Sequence, residues 1–160
     1  TLLWLDAHLD LADDMSDNIT HANALKRLLQ KNYAKVTIAG VRGFSTPKQE
    51  FSLIKKMKIN VYPSGLSSDQ LKRILINHEA ISLDLDFFDP LEFKATRVPE
   101  INGFSINQFI SCIKQVNTFM GKYFDIVEYA PNIDLGHVHA KIVSQLLLYI
   151  IALFLKAGYG

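Results

Sequence analysis

One cysteine, Cys112, in 160 residues leaves no internal disulfide framework to build, and it fits a reducing, cytoplasmic setting. A buried structural thiol is the expectation for it. Net charge is equally scarce: 17 Lys and Arg against 16 Asp and Glu give +1, too little field to gather nucleic acid or an anionic membrane. Neither partner is expected. The small basic cluster of Lys55, Lys56 and Lys58 reads as a solvated helix end. The opening apolar run is short and lacks a basic leader, so no signal peptide is visible. The apolar run 142–155 carries Ser144 and Gln145 and falls short of the roughly 18–20 residues that span a bilayer. A buried core helix is expected there. There is no internal repeat, low-complexity tract or linker, and no initiator Met before a strand that starts at the first residues. The last point leads to the expectation that preceding sequence is absent.

What is present is an ordinary globular composition, 49% apolar and 21% charged, with length enough for one domain and a real core. Apolar, β-branched runs predict strands over residues 2–8, 36–41, 59–62, 80–87 and 124–129. Helical spacing predicts helices over 21–30, 67–77, a segment from Ser105 to about Val116, and 136–155. Ser67-Ser68-Asp69-Gln70 has the form of a capping box. Alternation of strand and helix, with strands apolar throughout, predicts a mostly parallel α/β sheet covered by helices on both faces. The longest irregular stretches, 11–20 and 89–103, each follow a carboxylate-bearing strand, where ligands bind in open parallel sheets.

Those two strands carry the chemistry. Asp6, His8 and Asp10 stand at alternate positions in an otherwise apolar run, and Asp84 and Asp86 repeat the pattern. Alternation would place each set on one strand face. Burying carboxylates together is costly unless a cation lies between them. If the two strands are close, four carboxylates and one imidazole converge. That donor set suits Mn²⁺, Mg²⁺ or Zn²⁺, with Mn²⁺ best where carboxylates dominate. It holds enough charge for two divalent ions, about 3.5–4 Å apart in hydrolytic sites.

The stretches 6–10 and 82–90 resemble the signature strands of the ureohydrolases, the family of arginase, agmatinase, guanidinobutyrase and formimidoylglutamase. His21-Ala22-Asn23 is similar to that family's His-Gly-Asn/Thr loop, and residues 38–43 to its Ile-Gly-Ile-Arg-Gly strand. Residues 95–105 resemble its Gly/Pro-rich loop, and 125–131 its Asp-x-x-Glu-x-x-Pro strand. The resemblance implies the three-layer arginase-type fold, a single domain over 1–160 without the N-terminal strands, and a binuclear Mn²⁺ site. It implies that Asp6 and Asp84 bridge the ions, Asp10 binds the first, and His8 and Asp86 bind the second. It makes His21 the proton shuttle, Asp10 a catalytic group and Glu128 the holder of the substrate guanidinium. A small cationic guanidino substrate and a homo-oligomer, trimer or hexamer, follow from the same likeness.

The chain also departs from that pattern. A further histidine ligand, which the family takes from an earlier strand, has no counterpart, since His78, His137 and His139 all lie downstream. A weakened first metal position beside Asp10 is therefore expected. Ala22, Arg97 and Asn102 stand where the family has glycines. Ala12 stands where arginases carry a carboxylate-binding Asn, while Asp13, Asp14 and Asp17 would favour a positive tail. The expectation is an agmatinase-like enzyme releasing urea and an amine such as putrescine. Arginine, guanidinobutyrate or formimidoylglutamate stay open as substrates, and so does a non-catalytic relative acting as an interaction or regulatory subunit.

Overall fold

The computed structural model describes residues 1–12, 18–31, 35–43, 48–117 and 119–158. The acidic residues Asp13, Asp14 and Asp17 lie outside them. Five strands form one parallel sheet: β1 (Leu2–Leu5), β2 (Val36–Val41), β3 (Asn60–Pro63), β4 (Ala80–Asp84) and β5 (Tyr123–Val127), in the order β3-β2-β1-β4-β5. Five helices connect or follow them: α1 (Ala24–Gln30), α2 (Lys48–Met57), α3 (Ser68–Ile76), α4 (Ile106–Gln115) and α5 (Val138–Lys156).

Two cores form because the strands present apolar side chains on both faces. On one face, Leu3 and Leu5 of β1 and Ile81 and Leu83 of β4 join Leu71 and Leu75 of α3, Phe109 of α4 and Leu146 of α5. On the other, Ile38 and Val36 pack with Leu25 of α1, while Leu53, Ile54 and Met57 of α2 close over them. Period-2 alternation in β1 thus feeds both layers at once.

Chain order reverses at the centre of the sheet. β1, β2 and β3 run outward to one edge, and the chain then returns to lay β4 on the other side of β1. The crevice outside the strand ends at such a reversal is where open α/β sheets bind ligands. Leu5 pairs in register with Leu83, so the residues that follow, Asp6 and Asp84, emerge side by side.

Several boundaries differ from the sequence reading. β1 ends at Leu5 and β4 at Asp84, so Asp6, His8 and Asp10 follow a strand, and Asp86 lies in a 3-10 turn over Leu85–Phe87. The shared strand face expected for each set is therefore replaced by turns at the strand ends. Residues 21–23 form a 3-10 turn ahead of α1. Gly136, with φ of 73°, likewise delays α5 to Val138. The Ser67 box forms as predicted: Gln70 N–H donates to Ser67 Oγ at 3.2 Å, and Ser67 N–H to Gln70 Oε1 at 2.9 Å. Ser105 occupies the N-cap of α4 without capping it, and Glu92 accepts the Ile106 N–H instead, at 2.8 Å. Cys112 is buried, as expected of a structural thiol, and burial pushes its pKa up.

The last helix corrects an expectation. It has 19 residues, longer than its apolar run suggested, and by length and composition it could cross a membrane. Only Leu146, Ile150 and Leu153 are buried, while Leu147, Leu148, Ile151 and Leu155 face outward and exposed. It is a core helix on one stripe alone.

Candidate metal centre

Asp6 is 1% exposed at the end of β1. Its two oxygens are claimed locally: Trp4 Nε1 donates to Oδ2 at 2.8 Å and the His8 N–H to Oδ1 at 2.6 Å. Asp86 arrives from β4 and crosses to the same place. Its Oδ1 accepts the Ala7 N–H at 3.0 Å, and its Oδ2 lies 2.9 Å from His8 Nδ1. Asp84 Oδ1 in turn accepts the Asp86 N–H at 2.8 Å. Each carboxylate thus spends one oxygen on a backbone donor of the turns, which fixes its direction.

Asp6, His8 and Asp86 each offer one donor atom within 4.8 Å of the others, close enough to share a metal ion. Asp84 and Asp10 lie outside that tight group but line the same cavity of about 400 Å³, as do His8, Asp86, His21 and Glu128. Six of the seven residues singled out in the sequence therefore line one cavity, and Asp6 adjoins it through His8 and Asp86. Two of them hold left-handed backbone, Asp10 at φ 53° and Glu128 at φ 62°. Such conformations cost a non-glycine residue free energy and gather where the chain must aim a side chain.

Electrostatics mark the cluster as unbalanced. Burial, with Asp6 and Asp86 nearby, pushes Asp84 up to about 11. Burial and the same two neighbours raise Asp10 to about 8, with Glu50 adding to it. Asp6 rises to about 6, again by burial first, with a hydrogen bond from His8 opposing. Burial pulls His8 down, but hydrogen bonds to Asp6 and Asp86 outweigh it and carry the imidazole up to about 10. Protons fill the role that a divalent cation would take. Hard oxygens with one imidazole are the donor set such a cation prefers, so the residues present fit a metal of the Mn²⁺ type.

Four contributors escaped the sequence reading. Trp4 orients Asp6 through its indole N–H. Glu50, 5% exposed, reaches the cavity from α2 and accepts the Leu11 N–H at 3.2 Å. Glu100 Oε1 lies 4.0 Å from His8 Nε2. Thr96, 3% exposed, lines the cavity with a hydroxyl that has no partner among the described residues. Trp4 and Glu50 sit at ordinary strand and helix positions, where spacing carries no mark of a site. Glu100 sits in a loop whose path the sequence does not reveal.

The glycine replacements are accommodated differently. Asn102 takes φ of 62°, a left-handed conformation that Asn tolerates better than most residues, and Gly103 beside it cannot change: a Cβ there would lie 2.4 Å from the Phe88 backbone. Arg97 has no positive φ and simply lines the cavity. Of the downstream histidines, His137 is exposed at the start of α5 and the other two are engaged elsewhere. His78 lies between Ile74 O and Thr37 Oγ1, and His139 Nδ1 meets Asp134 Oδ1 at 2.9 Å. Among the described residues, no third histidine lines the cavity.

A parallel sheet whose central strand ends present carboxylates and an imidazole to one crevice defines an α/β protein with a candidate metal centre. The chain belongs to the arginase family, whose model matches residues 1–152. It is 29% identical to an N(1)-aminopropylagmatine ureohydrolase of Thermococcus kodakarensis, covering 96% of this chain and 54% of that one. Against a mitochondrial guanidino acid hydrolase of Homo sapiens the identity is 25%, over 91% of this chain and 45% of the relative. Among solved structures, the agmatine ureohydrolase of Thermoplasma volcanium superposes with a TM-score of 0.82 at 26% identity, covering 97% of this chain and 55% of that one. The proclavaminate amidino hydrolase of Streptomyces clavuligerus gives 0.85 at 16% identity, over 98% and 56%, a likeness of fold. The chain spans about half the length of the curated relatives it matches.

Proposed function

We propose that this chain carries the catalytic centre of a Mn²⁺-dependent hydrolase of guanidino C–N bonds, acting on an agmatine-like cation to release urea and an amine. The observation that carries the reading is the single cavity shared by Glu128 and the carboxylate–histidine group. Asp6, His8 and Asp86 would hold one ion, with Asp84 and Asp10 available to a second. When bound, such ions supply Lewis acidity, lowering the pKa of water so that a nucleophile exists at neutral pH.

The chain's own residues do the rest. Glu128 offers a planar carboxylate to a planar guanidinium, orienting its carbon toward the carboxylate cluster. Asp10 sits where negative charge would accept hydrogen bonds from the substrate nitrogens. His21 lines the same cavity and can hold the proton that the departing amine must gain. The balance is simple: guanidinium plus water gives urea plus a protonated amine, with no redox step. The acidic walls favour a substrate with a second positive charge and disfavour a carboxylate tail.

Arg97, a cation lining the same cavity, favours a second reading, a non-catalytic relative with little turnover. The first reading takes a cytoplasmic homo-oligomer; the second takes an interaction or regulatory subunit. Titration with Mn²⁺ followed by urea assay separates them. Two ions per chain and urea from agmatine are expected under the first, and Glu128→Gln should then lower kcat/KM at least 100-fold with metal content unchanged. One ion or none, and no urea from agmatine, arginine or guanidinobutyrate, would sink it.

A further inference from the structure

Arg42, the residue after β2, has no part in the chemistry above, yet it is 9% exposed and sits directly behind the centre. Among the described residues its guanidinium binds main-chain carbonyls, five of them: Gly40 at 3.1 Å, Asp86 at 2.5 Å, Phe88 at 3.2 Å, Glu100 at 3.0 Å and Ile101 at 3.0 Å. No carboxylate is among its hydrogen bonds to the described residues, although Asp86, Asp89 and Glu100 are near enough to favour its charge. A buried cation solvated by carbonyl dipoles fixes backbone, since carbonyls cannot rotate away as side chains can. Its own N–H donates to Ala7 O at 3.0 Å.

These bonds close a ring. The Arg42 guanidinium holds Asp86 O, Asp86 Oδ1 holds the Ala7 N–H, and Ala7 O holds the Arg42 N–H. Ala7 lies between the donors Asp6 and His8, and Asp86 is the third donor. A lone 3-10 turn such as 85–87 makes few hydrogen bonds of its own, so Asp86 needs an anchor outside it. On its other side, Arg42 grips the carbonyls of 100 and 101, and the Glu100 carboxylate stands behind His8 Nε2. We infer that Arg42 is a positioning residue of the metal centre, locking the turns after β1 and β4 together so that Asp6, His8 and Asp86 keep metal-binding geometry.

Lysine cannot replace it. An ammonium offers three donors from one point, whereas the planar fork reaches carbonyls on several sides at once. Loss of a group that orients metal ligands typically weakens metal binding 10–100-fold.

The inference rests on the metal-centre reading, and its test does not. Amide hydrogen exchange, followed by NMR on the full chain, reports the ring through the Ala7 N–H, which belongs to it, and the turn it anchors through the Asp86 N–H, which donates to Asp84 Oδ1. In Arg42→Lys both should exchange at least tenfold faster while Leu3, Leu5 and Leu83 keep their protection. His78→Gln serves as the control: it cuts a buried hydrogen bond far from the ring and should leave Ala7 and Asp86 in step with the core. Mn²⁺ affinity, read by EPR titration, should fall 10–100-fold in Arg42→Lys and less than threefold in His78→Gln. Unchanged Ala7 exchange in Arg42→Lys, or uniform acceleration of every strand amide, would overturn the inference. Should wild type bind no Mn²⁺, the metal reading falls while the Ala7 result still decides the ring. If Arg42→Lys fails to fold, the wild-type Arg42 Nε–H decides it: slow exchange is expected, and the rate of a free arginine would refute it.

Discussion

At the scale of single residues, the site is a set of acids that cannot all ionise without help. Asp6, Asp10 and Asp84 have folded pKa values of about 6, 8 and 11, above the ordinary 3.8, because burial and mutual repulsion disfavour charge. His8, held near 10 by its carboxylate neighbours, also lies above its ordinary 6.5. A raised pKa means that the folded chain binds more protons than the unfolded one between the two values. Stability contributed this way is present at low pH and lost as pH rises through the folded value. The metal-free chain should therefore lose Tm steadily from pH 5 to pH 9, measured in EDTA by calorimetry. Mn²⁺ competes for the same sites, so its stabilising effect should grow over that range, with protons released on binding. Asp84→Asn should raise the metal-free Tm at pH 8 and weaken Mn²⁺ binding at least tenfold. A Tm in EDTA that is flat or rises with pH would contradict the account.

At the scale of elements, the link between β5 and α5 shows how a strained residue is held. Glu128 holds a left-handed φ of 62°, and the chain just beyond it is tied down by Asp134. The Asp134 carboxylate accepts from Tyr129 Oη at 2.9 Å, from the His139 N–H at 3.1 Å and from the Ala140 N–H at 2.8 Å, capping α5 and pinning the loop together. Asp134→Ala should be destabilising in urea denaturation, since three partly buried donors lose their acceptor at once. It should also raise KM for a guanidino substrate by loosening Glu128; a cost below about 1 kcal/mol would refute the clamp. Asp134 carried no mark in the sequence, because its partners are its near neighbours only after the turn has formed. The strands were legible as apolar runs, and their parallel arrangement as strand–helix alternation. Their ends were not: apolar alternation runs on through Ala7 and Leu9, whereas the ladder stops at Leu5. Asp6, His8 and Asp86 do converge, but through turns and the pairing of β1 with β4, which no local pattern encodes.

At the scale of the whole molecule, the apolar surface is distributed unevenly. Of fifteen exposed large hydrophobic residues among the described ones, ten lie between Met120 and Leu155, on β5, α5 and the segments around them. β5 is an edge strand with Tyr123 71% and Val127 37% exposed, and it carries no proline. The opposite edge, β3, ends in Pro63, which blunts it against further pairing. Parallel sheets are normally covered on both faces, and large exposed apolar patches tend to pack against further protein. Leu147, Leu148, Ile151 and Leu155 recur at three- and four-residue spacing, the seam that packs one helix against another. The chain on its own should therefore self-associate at micromolar concentration in sedimentation velocity. The association should persist in 1 M salt, because no charge pairing drives it. Leu148→Lys with Ile151→Lys should shift the chain to monomer and leave stability within about 0.5 kcal/mol, since both side chains already face water. The same double variant should keep its Mn²⁺ affinity, because α5 contributes no residue to the cavity. A wild-type chain that sediments as a monomer, with no bound hydrophobic dye, would show that this flank needs no cover.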